Sequence, residues 1–424
     1  MTIFALSSGA PPAAIGVIRI SGPGAGAALA AIVGRLPAPR RASYAAFSDP
    51  ADGELLDRGL ALWFPGPRTA TGEDLAELHI HGGRSVATAV LAALGRIDGL
   101  RAALPGEFTR RAFANGAIDL AEAEGLADLL AAETDLQRRA ALASAGGALS
   151  RQVEAWRRDV LGIAAQVEAL LDFADEDDVP ADEAPVRAAI DRLSHEIAAM
   201  LATPPAERLR DGIRVVLAGA PNVGKSTLLN AIAGREAAIV SPIAGTTRDV
   251  IEVPVAIGGI PFLFSDTAGL RDSHDPIERA GVSRAETTLA DADIILWLAD
   301  PAACPHRARA IVVHPRCDIA PAPAAPVDVV VSAVAGEGMA ALLDLIVVRA
   351  GRLLPRVGDV AVNRRQRDAL QQCSSAVCDA LRQSDLLLMA EHLREARQAL
   401  DAVVGRSGVE EMLDALFGRF CIGK

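Results

Sequence analysis

Lysine is nearly absent: it stands at only two of 424 positions, Lys225 and Lys424, and arginine makes up the other 40 of the 42 basic residues. Aromatic residues are scarce too, at 3% with one tyrosine, and the net charge is −12. That balance excludes a stand-alone nucleic-acid clamp of basic stripes and stacking rings, so any RNA contact is expected to be local or shared with a partner. The five cysteines, at 304, 317, 373, 378 and 421, have no metal-ligand spacing. Neither a zinc site nor a disulfide framework is expected, and Cys373 and Cys378 read as helix packing residues. No run of about 20 apolar residues is present, and Met1-Thr2-Ile3-Phe4 opens without the basic region of a signal peptide. The expectation is a cytoplasmic protein with no membrane contact.

What is present is apolar patterning, with 51% hydrophobic residues, enough for about two to four domains at this length. Short β-type runs such as Ile15 to Ile20 and Leu60 to Phe64 alternate with Ala/Leu-rich helical stretches up to about Arg110, the pattern of an α/β domain. From Ile118 to Phe173 the sequence predicts almost uninterrupted amphipathic helix, closed by an acidic connector from Asp172 to Asp178. A further helix is expected from about Ala184 to Leu201, and helical periodicity resumes after Leu354-Pro355 until Phe420. All-α text on both sides of a central α/β segment suggests one discontinuous helical domain carrying an insertion, which is feasible when chain ends lie close together.

The rare Lys225 falls in Gly219-Ala220-Pro221-Asn222-Val223-Gly224-Lys225-Ser226, a complete G-x-x-x-x-G-K-[ST] phosphate loop. Apolar Ile213 to Ala218 precedes it as a strand, and a helix is expected from Ser226 to Ala233, so backbone N–H groups and a helix N-terminus point at phosphate. Asn222, Val223, Gly224, Lys225, Ser226 and Thr227 are the expected phosphate contacts. Downstream, Val250 to Ile257 and Ile260 to Ser265 flank Gly258-Gly259 as a hairpin, and the second strand delivers the D-x-x-G motif Asp266-Thr267-Ala268-Gly269. Ser226, Thr247 and Asp266 are the expected Mg²⁺ residues. These elements in this order predict a nucleotide-hydrolysing domain.

Base choice rests on less. Guanine reading by N-K-x-D is replaced by Pro315-Arg316-Cys317-Asp318, which keeps only the carboxylate; Asp318 is expected to accept the guanine N1–H and N2–H, with the Ser332 and Ala333 backbone at O6 and Arg316 stacking on the base. Leu270 stands where Ras-like proteins place their water-orienting glutamine, so water positioning must come from elsewhere.

Further segments span the chain: Ile15-Gly16-Val17-Ile18-Arg19-Ile20-Ser21-Gly22, Thr71-Gly72-Glu73-Asp74, His81-Gly82-Gly83, Pro105-Gly106-Glu107-Phe108-Thr109, Ile118 to Glu124, and the terminal Cys421-Ile422-Gly423-Lys424. With the nucleotide loops, they resemble end to end the tRNA modification GTPase family called MnmE or TrmE, which acts with a flavoprotein on the wobble uridine. The resemblance implies a multidomain α/β plus all-α fold. Its parts are a folate-binding-like dimerisation domain over 1–115, a helical domain over 116–210 and 356–424, and an inserted Ras-like G domain over 211–355. It implies a K⁺ ion in the arginine-finger role, held by Asn222 and, within Ser241-Pro242-Ile243-Ala244-Gly245-Thr246-Thr247, by Ser241, Ile243 and Thr246, the site being complete only when two G domains face each other. Glu278 would orient the attacking water; a solvated carboxylate at a helix start is the alternative.

The resemblance also implies a folate site, for 5-formyl- or 5,10-methylene-tetrahydrofolate, at Arg19, Glu77 and Lys424, although surface placement of Arg19 and Glu77 fits the sequence as well. The lysine of the family pattern ahead of Ile118 is Ala117 here, which bears on folate affinity. Cys421 is either a nucleophile or activated thiol, or an inert thiol buried beside Phe420. The implied function is GTP hydrolysis coupled to building 5-carboxymethylaminomethyl or aminomethyl-type groups on tRNA, as a homodimer with an FAD-dependent partner. The rivals are a ribosome-assembly switch GTPase and a degenerate GTPase kept as a scaffold.

Overall fold

The computed structural model describes residues 1–172, 182–235, 237–238, 252–266, 288–319, 325–356, 358–406, 410–418 and 420–423. The chain divides into two compact units, one of residues 1–127, 145–157 and 397–424, the other of 128–144 and 158–396.

The first unit is built on β1 (Thr2–Leu6), β2 (Ile15–Ser21), α1 (Ala25–Val33), β3 (Ser43–Ser48), β4 (Leu55–Phe64), β5 (Leu75–His81), α2 (Arg84–Gly95), β6 (Leu100–Ala102) and α3 (Glu107–Ala114). The strands form one sheet in the order β3-β4-β5-β2-β1-β6, with only β1 and β6 parallel. Strand alternation sorts the two faces. Ile18, Ile20, Leu78 and Ile80 turn inward and are buried with Leu29 and Ile32 of α1 and Val90 and Leu94 of α2. On the other face, Ile3 and Ala5 of β1 are buried with Phe108 of α3, while Arg19, Glu77 and His79 stay partly exposed.

Three helices occupy the stretch that reads as one: α4 (Leu120–Ala131), α5 (Asp135–Ala145) and α6 (Ala148–Asp172). The first break is a reciprocal cap, with Gln137 N–H on Thr134 Oγ1 at 3.2 Å and Thr134 N–H on Gln137 Oε1 at 2.9 Å. The second is Gly147, whose φ of +74° ends a helix at little cost. The apolar periodicity persists through both breaks, which is why the sequence alone hides them.

In the second unit, α7 (Ala184–Leu201) and α8 (Glu207–Arg210) lead into β7 (Ile213–Ala218), α9 (Lys225–Arg235), β8 (Ala237–Ala238), β9 (Glu252–Ile257), β10 (Ile260–Asp266), β11 (Ile294–Trp297), β12 (Ala310–His314), β13 (Val329–Val330) and α10 (Met339–Gly351). After them come α11 (Arg364–Arg382) and α12 (Leu386–Val403), and the chain's last helix is α13 (Glu410–Phe417). The seven strands run β13-β12-β11-β7-β10-β9-β8; the β10–β9 and β9–β8 pairs are antiparallel, and the other neighbours are parallel. Gly258 and Gly259, at φ +58° and +77°, make the expected two-residue hairpin turn.

The helices before and after this sheet pack together. The Arg367 guanidinium donates to the carbonyls of Leu201, the last residue of α7, and of Thr203 just beyond it, both at 2.6 Å, and Arg187 on α7 does the same for Leu381 and Gln383 at the end of α11. Each planar fork satisfies carbonyls left open at a helix end, geometry that a lysine would not match. Chain entry and exit also meet, since the Ala206 N–H donates to the Val362 carbonyl at 3.1 Å.

Candidate functional site

Strand β7 lies between β10 and β11, so the chain departs from its carboxyl end to one side and later returns on the other, the switch point where open α/β sheets bind ligands. Three residues make the phosphate loop there. Gly219 passes so close to the Leu298 carbonyl that a Cβ would stand 2.8 Å from its oxygen; Gly224 takes φ +106°; and Asn222, not a glycine, takes φ +60°. Lys225 is 4% exposed, and its Nζ donates to the Gly219 and Ala220 carbonyls at 3.1 and 2.9 Å. The loop therefore already holds the ammonium where a phosphate would compete for it. Thr227 follows in the first turn of α9 and Val223 sits in the loop beside the base end.

Asp266 ends β10 opposite Leu217 of β7 and is 8% exposed; its Oδ2 accepts the Ser226 hydroxyl at 2.6 Å. A hydroxyl and a carboxylate so joined, beneath a loop of phosphate-facing amides, are hard oxygen donors that fit Mg²⁺. Thr247 lies outside the described residues, as do Ser241, Pro242, Ile243, Ala244, Gly245, Thr246, Thr267, Ala268, Gly269, Glu278 and Lys424.

The base end assembles from two neighbouring loops. Parallel β12 and β13 bring them together, the Val331 N–H donates to the His314 carbonyl at 2.8 Å, and the Cys317 N–H donates to Val331 at 3.2 Å. Asp318 is exposed beside them, Ser332 is fully buried with its hydroxyl accepting the Ala335 N–H at 3.0 Å, and Ala333 follows in the turn. Next to this end is a cleft of about 530 Å³, lined among others by Val223, Leu298, Asp300, Pro315 and Arg316, within the size range of ligand pockets. Arg316, in left-handed backbone at φ +56°, sets its Nε 3.5 Å from where a Gly224 Cβ would stand. Its guanidinium therefore lies along the phosphate loop.

In the first unit, Arg19 and Glu77 face each other on adjacent strands and pair: Arg19 Nη2 and Nε donate to Glu77 Oε1 at 2.9 and 3.1 Å. His79 Nε2 adds a 3.3 Å contact to Glu77 Oε2, a partner that alternation along β5 places on the same face and that the sequence analysis missed. Cys421 is exposed, whereas its neighbour Phe420 is 4% exposed. The buried thiol is Cys373, pushed up to about 12 by burial. Among the described residues no cluster of His, Cys, Asp and Glu suits a metal ion, and no helix is long and apolar enough to cross a membrane.

Below the TGED and PGEFT segments lies a charged network. Burial opposes ionisation of Glu107, yet bonds from Arg101, the Leu104 N–H and Arg111 outweigh it and draw the carboxyl down to about 2. Arg111 also donates to Glu73 Oε2 at 3.0 Å, and Glu73 accepts the buried Ser21 hydroxyl. These two acidic motifs are held in the architecture of the domain by the same arginine.

Comparison with known proteins matches residues 2–117 to the family described as GTP-binding protein TrmE N-terminus and residues 120–421 to the MnmE helical domain. The tRNA modification GTPase MnmE of Rhizorhabdus wittichii is 57% identical, covering 100% of this chain and 96% of that protein. Those of Novosphingobium aromaticivorans, at 55%, and Erythrobacter litoralis, at 56%, cover 100% of this chain and 99% and 100% of their own. With both flanking domains matched and full-length identity above one half, the chain belongs to the MnmE, or TrmE, family of tRNA modification GTPases.

Proposed function

We propose that the chain hydrolyses GTP in a K⁺-dependent manner at the carboxyl edge of the β7 sheet, and that hydrolysis serves formation of 5-carboxymethylaminomethyl or aminomethyl-type groups on the tRNA wobble uridine with an FAD-dependent partner. The observation that carries the reading is the Ser226–Asp266 pair at 2.6 Å under a loop whose lysine is 4% exposed. Full-length likeness to proteins named tRNA modification GTPase supports the acceptor.

In this reading Lys225 leaves the Gly219 and Ala220 carbonyls for the β- and γ-phosphates, and the loop amides hold the remaining oxygens. Ser226 and Asp266, with Thr247, hold Mg²⁺; Asn222, with Ser241, Ile243 and Thr246, holds K⁺. Bound, the two cations supply positive charge to the phosphoryl oxygens. Glu278 orients the attacking water. Asp318 accepts the guanine N–H groups, with the Ser332 and Ala333 backbone at O6. Arg19, Glu77 and Lys424 take a tetrahydrofolate carrying a one-carbon unit, and Cys421 is the accessible thiol beside it.

We read the domains as 1–115, 116–210 with 356–424, and 211–355, in a cytoplasmic homodimer. The meeting of Ala206 and Val362 supports the insertion. The test pairs GTP hydrolysis in KCl and NaCl with nucleoside analysis of tRNA from cells lacking residues 421–424. Faster turnover in KCl, and loss of the modified uridine with hydrolysis intact, are expected. Equal rates in both salts defeat the potassium mechanism, and normal tRNA defeats the role of the tail.

A further inference from the structure

The two ends of the chain meet. The Ser7 hydroxyl donates to the Gly423 carbonyl at 2.8 Å across 416 residues of sequence. Gly423 is buried at φ +96°, and a Cβ there would stand 2.9 Å from both the Leu6 carbonyl carbon and Ser7 Cα, with the Leu6 oxygen closer still. These neighbours are backbone atoms and cannot swing aside as a long side chain would, so glycine is required on both conformational and steric grounds.

A second anchor lies three residues upstream. Phe420 is 4% exposed and is buried in a cluster with Phe417 and Ala123, its ring centroid 6.2 Å from that of Phe417. Phe417 is held in turn: its carbonyl carbon would lie 2.8 Å from a Cβ on Gly106, the residue that caps α3 at φ +67°. Between the buried anchors Phe420 and Gly423 stand only Cys421 and Ile422, both exposed, Ile422 at 59%. The tail thus docks through Phe420 and Gly423, with Ile422 left largely exposed between them.

The place of this bridge follows from strand register. Ala5 pairs with Arg19, and Arg19 pairs with Glu77. The Ser7 N–H donates to the Val17 carbonyl at 2.7 Å and extends the ladder by one step, so Ser7 falls on the same face as Ala5 and Arg19. We propose that Ser7 and Gly423 form a latch between the chain's two ends and act as positioning residues, holding the exposed Cys421–Ile422 bridge at the rim of the face that carries the Arg19–Glu77 pair. Neither residue performs chemistry. The latch confines the thiol to one place, where an unpinned tail would spread it over a wide volume. Its bearing on tRNA rests on the reading that the tail serves modification.

The test compares the full-length protein with Gly423→Ala, Ser7→Ala and Ser7→Thr. Carboxypeptidase release of the terminal residues reads the latch directly; wobble-uridine modification reads its consequence; GTP hydrolysis reports the integrity of the nucleotide site in the other unit. Release is expected to quicken about tenfold in Ser7→Ala, the loss of one hydrogen bond, and about a hundredfold in Gly423→Ala, which adds backbone strain. Ser7→Thr keeps the hydroxyl and should match the parent. Modification falls in step with release, while hydrolysis is unchanged. Release at the parental rate in both Gly423→Ala and Ser7→Ala overturns the latch. Faster release with full modification overturns the positioning role, and with it the reading of the tail rather than the observed contact. Ser7→Ala removes a single oxygen and keeps the test open should Gly423→Ala fail to fold.

Discussion

The Ser226 hydroxyl and the Asp266 carboxylate meet at 2.6 Å, joining the first turn of α9 to the end of β10. The pair proposed to hold Mg²⁺ is thus brought together by the sheet and its helix. Ser226→Ala or Asp266→Ala should lower GTP turnover by about 10²-fold or more, the scale of losing one electrostatic contact to the transferring phosphoryl group. Phosphate release at saturating GTP and Mg²⁺ is the measurement, and a change of less than a few fold would remove both residues from the metal site.

Asn222 has two separable features, an amide and a backbone at φ +60°. Asn222→Ala removes the amide and strains the loop by about 1 kcal/mol, whereas Asn222→Gly removes the amide alone. Both should lose the K⁺ over Na⁺ preference in turnover. Only Asn222→Ala should also weaken nucleotide binding, and a K⁺ preference surviving in Asn222→Gly would place the ion elsewhere.

At the base end, Asp318 is exposed and is the only carboxylate the altered motif retains. Asp318→Asn should therefore abolish the preference for GTP over ATP, by up to a few kcal/mol, because the guanine N–H groups lose their shared acceptor. Competition binding with the two nucleotides measures this. Wild-type protein that binds ATP as well as GTP would show that the carboxylate does not read the base.

Glu107 sets an acid limit on the first unit. Its carboxyl is lowered from an ordinary 4.5 to about 2 in the folded protein, so its contribution to stability is complete above about pH 4.5 and is lost as pH falls toward 2. Glu107→Gln should be less stable at neutral pH, by roughly 2 to 3 kcal/mol, and its stability should depend less on pH across that window. Urea unfolding of both proteins at several pH values reads the difference, and parallel curves would mean that the carboxylate has no such role.

The phosphate loop was legible because its demands are local: glycines at Gly219 and Gly224, one lysine, one hydroxyl, all within eight residues between a strand and a helix. The Gly258-Gly259 hairpin is readable on the same grounds. The breaks at Thr134 and Gly147 were not, because capping geometry leaves a weaker mark than apolar periodicity. Arg19 and Glu77 could be picked out singly, but their mutual ion pair spans 58 residues and depends on register, which one residue of slip would reverse. Arg187 and Arg367, each closing the other's helix, illustrate the same point: arginine-rich composition is visible in the sequence, and the reciprocity is not.

A contact between residues 7 and 423 also constrains how the protein comes into being. The first strand emerges from the ribosome roughly 20 to 80 seconds before its C-terminal partner at ordinary rates of synthesis. Until then the floor on which Gly423 rests is bare, and the aromatic seat of Phe420 lacks its ring. The N-terminal sheet therefore waits for that contact as an unfinished object.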